Sequence, residues 1–228
     1  MLVTIDSILN AGELATARKL IAESGWNSGP GTAGLQAAQA KNNQQLPETV
    51  GHLQALRKLV LDALNRNAVF FSAALPLKIL PPNFNRYSGS TNTYGFHADN
   101  AMRLAPDRSG SYVRADVSAT LFISDPEHYE GGTLTIEDTF GTHGVKLKAG
   151  SLVLYPSSSV HAVSPVTSGE RIACFMFIQS MVRNPEQRRL LYNMDMALLR
   201  LRQDDGDTDP VIRLTTTYHN LLRLWAET

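Results

Sequence analysis

The hydrophobic period changes three times along the chain. After Asn10, which with Glu13 forms a capping-box pattern, Leu14, Ala17 and Leu20-Ile21 recur at helical spacing until Gly25. Residues 26–47, rich in Gly, Asn, Gln and Ala, hold no period, so the reading there is a loop without chemistry. Between Glu48 and about Asn67, the aliphatic residues Leu53, Leu56, Val60 and Leu64 fall on one helical stripe, predicting a second helix that packs on a large surface. From Val69 to Gln179 the pattern becomes short apolar runs separated by Gly, Pro, Asn, Asp and Ser. These predict strands at 69–73, 77–80, 83–88, 95–98, 116–124, 132–137, 145–147, 151–155, 160–166 and 171–179, the series expected of a two-sheet jelly roll or another antiparallel barrel. Beyond Ser180 the helical period returns. Asn184-Pro185 opens one helix through Leu190, Met194, Leu198 and Leu201, the Asp204–Asp209 cluster breaks it, and Pro210 to about Ala226 forms another.

The expected architecture is therefore mainly β with flanking helices. N-terminal helices (1–68) pack on a jelly-roll (double-stranded β-helix) core (69–180), followed by a C-terminal helical extension (181–228). That extension is too short for a substantial core of its own and has to dock on the barrel or on a second subunit. The apolar faces around Leu198, Leu201, Leu221 and Trp225 would serve a homo-oligomer as well as an intrachain contact.

Composition narrows the function. Lys plus Arg and Asp plus Glu number 21 each, so no global field draws the molecule to nucleic acid or an anionic membrane. Cys174 is the single cysteine, which excludes an intrachain disulfide and a thiolate-rich zinc site. Met1–Asp6 lacks the basic and apolar regions of a signal peptide, and no window reaches the ~18 apolar residues of a membrane span. A cytoplasmic protein is expected, with a small-molecule or peptidyl substrate as partner.

The chemistry concentrates in Tyr94-Gly95-Phe96-His97-Ala98-Asp99. At strand period two, His97 and Asp99 share a face, and a third ligand from elsewhere would complete the facial triad that holds non-haem Fe(II). His161, at the start of a strand after the Pro156–Ser159 turn, fits that role. His52, His128, His143 and His219 lie in helix, turn or loop settings that suit structural or solvated imidazoles. Arg171 makes sense if the iron also binds 2-oxoglutarate, whose distal carboxylate needs a cationic fork. A five-residue hairpin loop at 166–170 would put Arg171 on the face of His161, about 13 Å along the sheet; the plainer alternative pairs it with Glu170 or solvent. Asp116, Ser118 and Thr120 alternate on one strand face, which points either into the barrel or to solvent. Gly131-Gly132 reads as a tight turn or close backbone approach.

Taken together, Arg86-Tyr87-Ser88-Gly89, His97-Ala98-Asp99, Tyr129 to Leu134, Gly150 to His161 and Gly169-Glu170-Arg171 resemble the PKHD-type hydroxylases, iron and 2-oxoglutarate dioxygenases similar to the prolyl 4-hydroxylases. The resemblance covers nearly the whole chain, including Gln179-Ser180, Asn184-Pro185, Arg188-Arg189 and Tyr218 to Leu222 in the C-terminal extension. It implies that His97, Asp99 and His161 ligate Fe(II), that Arg171 grips oxoglutarate, and that Tyr87, with Tyr94 beside it, contacts the co-substrate. Some prolyl hydroxylases carry a second co-substrate tyrosine where this chain has Phe122. The implied reaction consumes O2 and oxoglutarate, releases succinate and CO2, and hydroxylates a C–H bond. Ascorbate as the reductant that maintains ferrous iron, and an association with bacterial iron uptake, belong to the same implication. Two other readings remain open on the residues alone: a cupin-like metal isomerase or hydrolase without oxoglutarate, and a non-catalytic iron or oxoglutarate sensor.

Overall fold

A computed structural model describes residues 1–29, 35–105 and 110–228. In chain order its elements are β1 (Val3–Ile5), α1 (Ala11–Ala22), β2 (Asn27–Ser28), α2 (Leu35–Ala40), β3 (Lys41–Asn42), β4 (Gln44–Gln45), α3 (Leu53–Asn65), α4 (Ala68–Ala74), β5 (Pro76–Ile79), β6 (Asn83–Tyr87), β7 (Thr93–His97), β8 (Met102–Leu104), β9 (Tyr112–Arg114) and β10 (Val117–Phe122). They continue with β11 (Tyr129–Gly131), β12 (Leu134–Asp138), β13 (Gly141–Val145), β14 (Leu152–Pro156), β15 (His161–Val163), β16 (Val166–Gly169), β17 (Arg171–Ser180), α5 (Pro185–Asp205) and α6 (Asp209–Trp225).

Most of the strands form two facing antiparallel sheets, as the jelly-roll expectation requires. The larger runs β1-β14-β10-β17-β6-β4-β2, with β5 added on β17; the smaller runs β13-β12-β15-β7-β3. Strand alternation gives the larger sheet two different faces. Val117, Ala119 and Leu121 of β10 and Cys174, Met176 and Ile178 of β17 join a core with Leu53, Leu56, Val60 and Leu64 of α3. Leu56, Val60 and Leu64 are wholly buried, each worth about 1.5–3 kcal/mol. The opposite face, carrying Tyr87, Phe122, Val153 and Tyr155, packs on Leu134, Ile136 and Val163 of the smaller sheet. The site lies in this interior.

The capping box is present: Asn10 Oδ1 accepts from Glu13 N at 2.9 Å, and Glu13 Oε2 accepts from Asn10 N at 3.0 Å. The expected strand at 69–73 is instead helix α4. Asn67 caps it by accepting from Phe70 N at 2.8 Å, and Leu75 ends it in the left-handed region at φ 43°. A short run of apolar residues satisfies strand and helix patterns equally, so the caps decide. Residues 26–47, expected as loop, contribute β2, β3 and β4 to the sheet edges; Lys41 pairs with Tyr94 and Gln44 with Arg86. Polar edge strands carry no apolar alternation to betray them. The strand expected at 145–147 lies earlier, at Gly141–Val145, and the β8–β9 hairpin has no counterpart in the sequence expectation.

At the C-terminus, Leu198, Val211 and Tyr218 bury against Leu75 and Val182, with Leu221 and Trp225 packed on the same cluster. Most of the apolar face of α5 and α6 is thus spent within the chain, and Glu227 N fastens the end by donating to Met181 O at 2.7 Å. No described helix is long and apolar enough to cross a membrane.

Candidate active site

His97 ends β7 and His161 opens β15, directly opposite each other in the smaller sheet. Asp99 follows His97 by two residues, beyond the end of the strand. One ligand atom from each of His97, Asp99 and His161 lies within 4.8 Å of the others. The fold brings the three side chains together: His161 Nε2 is 3.6 Å from Asp99 Oδ2, and the two imidazole centroids are 4.2 Å apart.

Each imidazole is oriented by its own backbone. His97 Nδ1 lies 2.8 Å from Gly95 O and His161 Nδ1 lies 3.0 Å from Ser159 O, so donation from Nδ1 leaves the Nε2 lone pair as the coordinating atom. Tyr94 stacks on His97 at 3.6 Å between centroids, and Tyr155 meets His161 edge-on at 5.1 Å. Ser118 Oγ donates to Asp99 Oδ2 at 2.7 Å and lies 2.8 Å from Ser157 Oγ. Ser118 and Thr120 therefore face the barrel interior, whereas Asp116 pairs with Arg114 at 2.8 Å.

Burial first, and the neighbouring His161 second, lower the His97 pKa to about 4. The unfolded chain takes up this proton near 6.5, so between those values it binds more protons than the fold. The metal-free protein accordingly loses stability as pH falls from 6.5 toward 4. A thermal midpoint of metal-free protein that is lower at pH 5 than at pH 7 in wild type, with a smaller drop in His97→Gln, is the expected observation.

Arg171 starts β17, opposite Tyr87 of β6 in the larger sheet. The hairpin expected to carry it beside His161 does not form, because β16 pairs with β11 in a separate two-stranded ladder. The chain changes sheets at Glu170, and Arg171 reaches the same cavity from the other sheet. Its side chain is 1% exposed, with the guanidinium carbon 5.3 Å from the Tyr87 ring centre and 5.2 Å from that of Phe122. Among the described residues Nε and Nη2 have no hydrogen-bond partner. Glu170, the plainer partner, lies 3.2 Å from Arg86 instead. Tyr87 is buried in the same wall, its hydroxyl accepting from Asn85 Nδ2 at 3.4 Å.

Gly131 and Gly132 allow this wall to close. Both have positive φ, and a Cβ on Gly132 would stand 2.9 Å from Arg171 Cδ and 2.8 Å from Val166 Cγ2. Gly132→Ala is expected to cost about 1–3 kcal/mol in urea unfolding, through left-handed strain and overpacking.

Residues 82–179 match the 2OG-Fe(II) oxygenase superfamily and residues 186–227 the PKHD-type hydroxylase C-terminal domain. PKHD-type hydroxylases of Azoarcus sp. and Nitrosomonas europaea are 70% and 69% identical to this chain, each alignment covering all of both proteins. The chain belongs to the PKHD-type hydroxylase family. As a PKHD-type hydroxylase it is an oxidoreductase with a 2OG-Fe(II) oxygenase domain. The fold is shared with a Pseudomonas putida prolyl-4-hydroxylase (TM-score 0.50, 23% identity, 78% of this chain and 92% of that one). It is also shared with a Trichoplax adhaerens prolyl hydroxylase (TM-score 0.55, 14% identity, 83% and 86%).

His97, Asp99, His161, Arg171, Tyr87 and Tyr94 all line one cavity of this hydroxylase. The histidines set aside earlier stay outside it: His143 pairs with Asp138 at 3.1 Å and His52 approaches Glu23 at 3.6 Å, both at the surface. The cavity also contains residues that sequence reasoning passed over, namely Lys41, Arg103 and Tyr155. Lys41 hid in the segment taken as loop, and Arg103 in an unrecognised hairpin. Tyr155 lay inside a quoted motif, and its position two residues after Val153 on an inward-facing row was the available signal.

Proposed function

We propose that His97, Asp99 and His161 hold Fe(II), that Arg171 with Tyr87 binds the distal end of 2-oxoglutarate, and that a C–H bond of a second molecule is hydroxylated as oxoglutarate is cleaved to succinate and CO2. The observation that carries this reading is a fully buried guanidinium without an anionic partner among the described residues, in the same cavity as a two-imidazole, one-carboxylate cluster. A buried charge needs compensation, and a carboxylate of the co-substrate supplies it with fork-like hydrogen bonds. The donor set also fits the metal: nitrogen and carboxylate oxygen on one side suit ferrous iron with open positions, without thiolates that would favour zinc.

Ferrous iron, when bound with oxoglutarate and O2, supplies the oxidising power for attack on an unactivated C–H bond. The chain's own work is positional. Gly95 O and Ser159 O fix both imidazoles in the Nε2-presenting form. Ser118 restrains the Asp99 carboxylate, and the sheet interior keeps bulk water from the reacting centre.

The reading includes ascorbate as the reductant that maintains Fe(II), a cytoplasmic location and a link to iron uptake. Any self-association through the C-terminal helices would use Leu201, Leu214 and Leu224, which stay exposed. The direct test is anaerobic loading with Fe(II) and oxoglutarate followed by air. Stoichiometric succinate supports the proposal; tight metal binding with no succinate, even across candidate substrates, favours the cupin-like or sensor alternatives.

A further inference from the structure

A second buried donor stands beside Arg171 without an acceptor. Tyr129, at the start of β11, is 3% exposed, and its hydroxyl is buried with no hydrogen-bond partner among the described residues. The hydroxyl end of the ring lies against the root of the guanidinium: a Cβ on Gly132 would stand 2.9 Å from Tyr129 Cε2 and 2.9 Å from Arg171 Cδ. Arg171 cannot take the Tyr129 proton in a hydrogen bond, because a guanidinium carries donors only. The same holds for the Lys146 ammonium, which lies 4.1 Å from the Tyr129 ring centre and donates to the Tyr129 carbonyl at 2.8 Å. Phe122, Leu134, Val145 and Val166, packed in the same cluster, offer no polar side-chain atom. The Tyr87 hydroxyl differs, since Asn85 Nδ2 approaches it at 3.4 Å. Burial raises the Tyr129 pKa against the opposing pull of the Arg171 charge, so the phenol keeps its proton at neutral pH and remains a donor.

Three buried donors in the same unpaired state therefore converge on one wall: the Tyr129 O–H and the Arg171 Nε and Nη2 groups. Buried donors of this kind call for an acceptor. We infer that Tyr129 is a further co-substrate-binding residue, its O–H donating to the same distal carboxylate that Arg171 grips. The inference rests on the reading of Arg171 given above. A carboxylate has about four lone-pair sites, so a guanidinium fork and a phenol can share it. Selection of a diacid over a monoacid then comes from a directed hydrogen bond as well as from charge.

Tyr129→Phe removes the hydroxyl and keeps the ring. Isothermal titration of the full chain loaded with Mn(II) compares oxoglutarate with 2-oxobutyrate, which ends in a methyl group. The variant should bind oxoglutarate roughly tenfold or more weakly than wild type, the worth of one hydrogen bond to a charged acceptor, and 2-oxobutyrate within about twofold. The thermal midpoint of the protein free of metal and co-substrate should hold or rise, because the substitution deletes an unpaired buried hydroxyl. Saturating oxoglutarate should then raise the midpoint of the Mn(II)-loaded wild type more than that of the loaded variant. An unchanged preference for oxoglutarate over 2-oxobutyrate, or an equal loss for both acids, would overturn the inference; a lowered midpoint with that unchanged preference would assign the hydroxyl a structural role. Wild-type protein that binds Mn(II) yet shows no preference for oxoglutarate would instead overturn the underlying reading of Arg171.

Discussion

Asp99→Ala abolishes stoichiometric Fe(II) binding and lowers oxoglutarate turnover about a thousandfold, while the metal-free protein keeps its thermal midpoint. Asp99 is the only carboxylate in the described three-residue cluster, so its loss leaves two neutral imidazoles facing a dication inside a buried cavity. Removing one partner of a buried charge pair costs about 3–5 kcal/mol, which corresponds to the stated factor. The apo fold tolerates the change because, among the described residues, the carboxylate gives up one short hydrogen bond, from Ser118, and longer contacts with His161 at 3.6 Å and Arg103 at 3.9 Å. Its removal also relieves the desolvation of a largely buried anion. Anaerobic equilibrium dialysis with Fe(II), together with oxygen uptake, measures the effect. A variant that keeps metal affinity within about tenfold of wild type would remove Asp99 from the ligand set.

Arg171→Met raises the KM for oxoglutarate about a hundredfold or more without lowering the stability of the co-substrate-free protein. Methionine retains an apolar stem against Tyr87 and Phe122, and the fold no longer carries a buried guanidinium with unpartnered Nε and Nη2. On the proposed reading those donors gain a partner from the bound diacid, and two charge-assisted hydrogen bonds at about 1.5–3 kcal/mol each account for the loss. Comparing oxoglutarate with 2-oxobutyrate, which lacks the distal carboxylate, separates this role from general damage. Wild type should prefer oxoglutarate strongly, and Arg171→Met should treat the two nearly alike. A preserved preference would assign recognition of the distal carboxylate to another residue, with Tyr129 and Tyr87 the nearest candidates on that wall.

Much of this site was legible beforehand because its parts obey local rules. His97 and Asp99 stand one residue apart at a strand end, and period two alone predicts their shared side. The helical stripe of α3 needed only residue spacing, and the Asn10–Glu13 cap only three residues of distance. Arg171 reaches the cavity of His97, Asp99 and His161, but by another route than expected: its approach depends on whether 166–170 closes a hairpin, and pairing of β16 with β11 settles that against the hairpin.

Local chemistry therefore fixed which side chains could bind metal and co-substrate, because imidazole, carboxylate and guanidinium are read directly from residue type and short spacing. Tertiary structure alone decided that Ser118 turns inward to hold Asp99 and that Lys41 and Arg103 reach the cavity. In each case the outcome depends on which distant surface covers a segment. Burial and pairing across dozens of residues supply free energies comparable to the small local preferences they override.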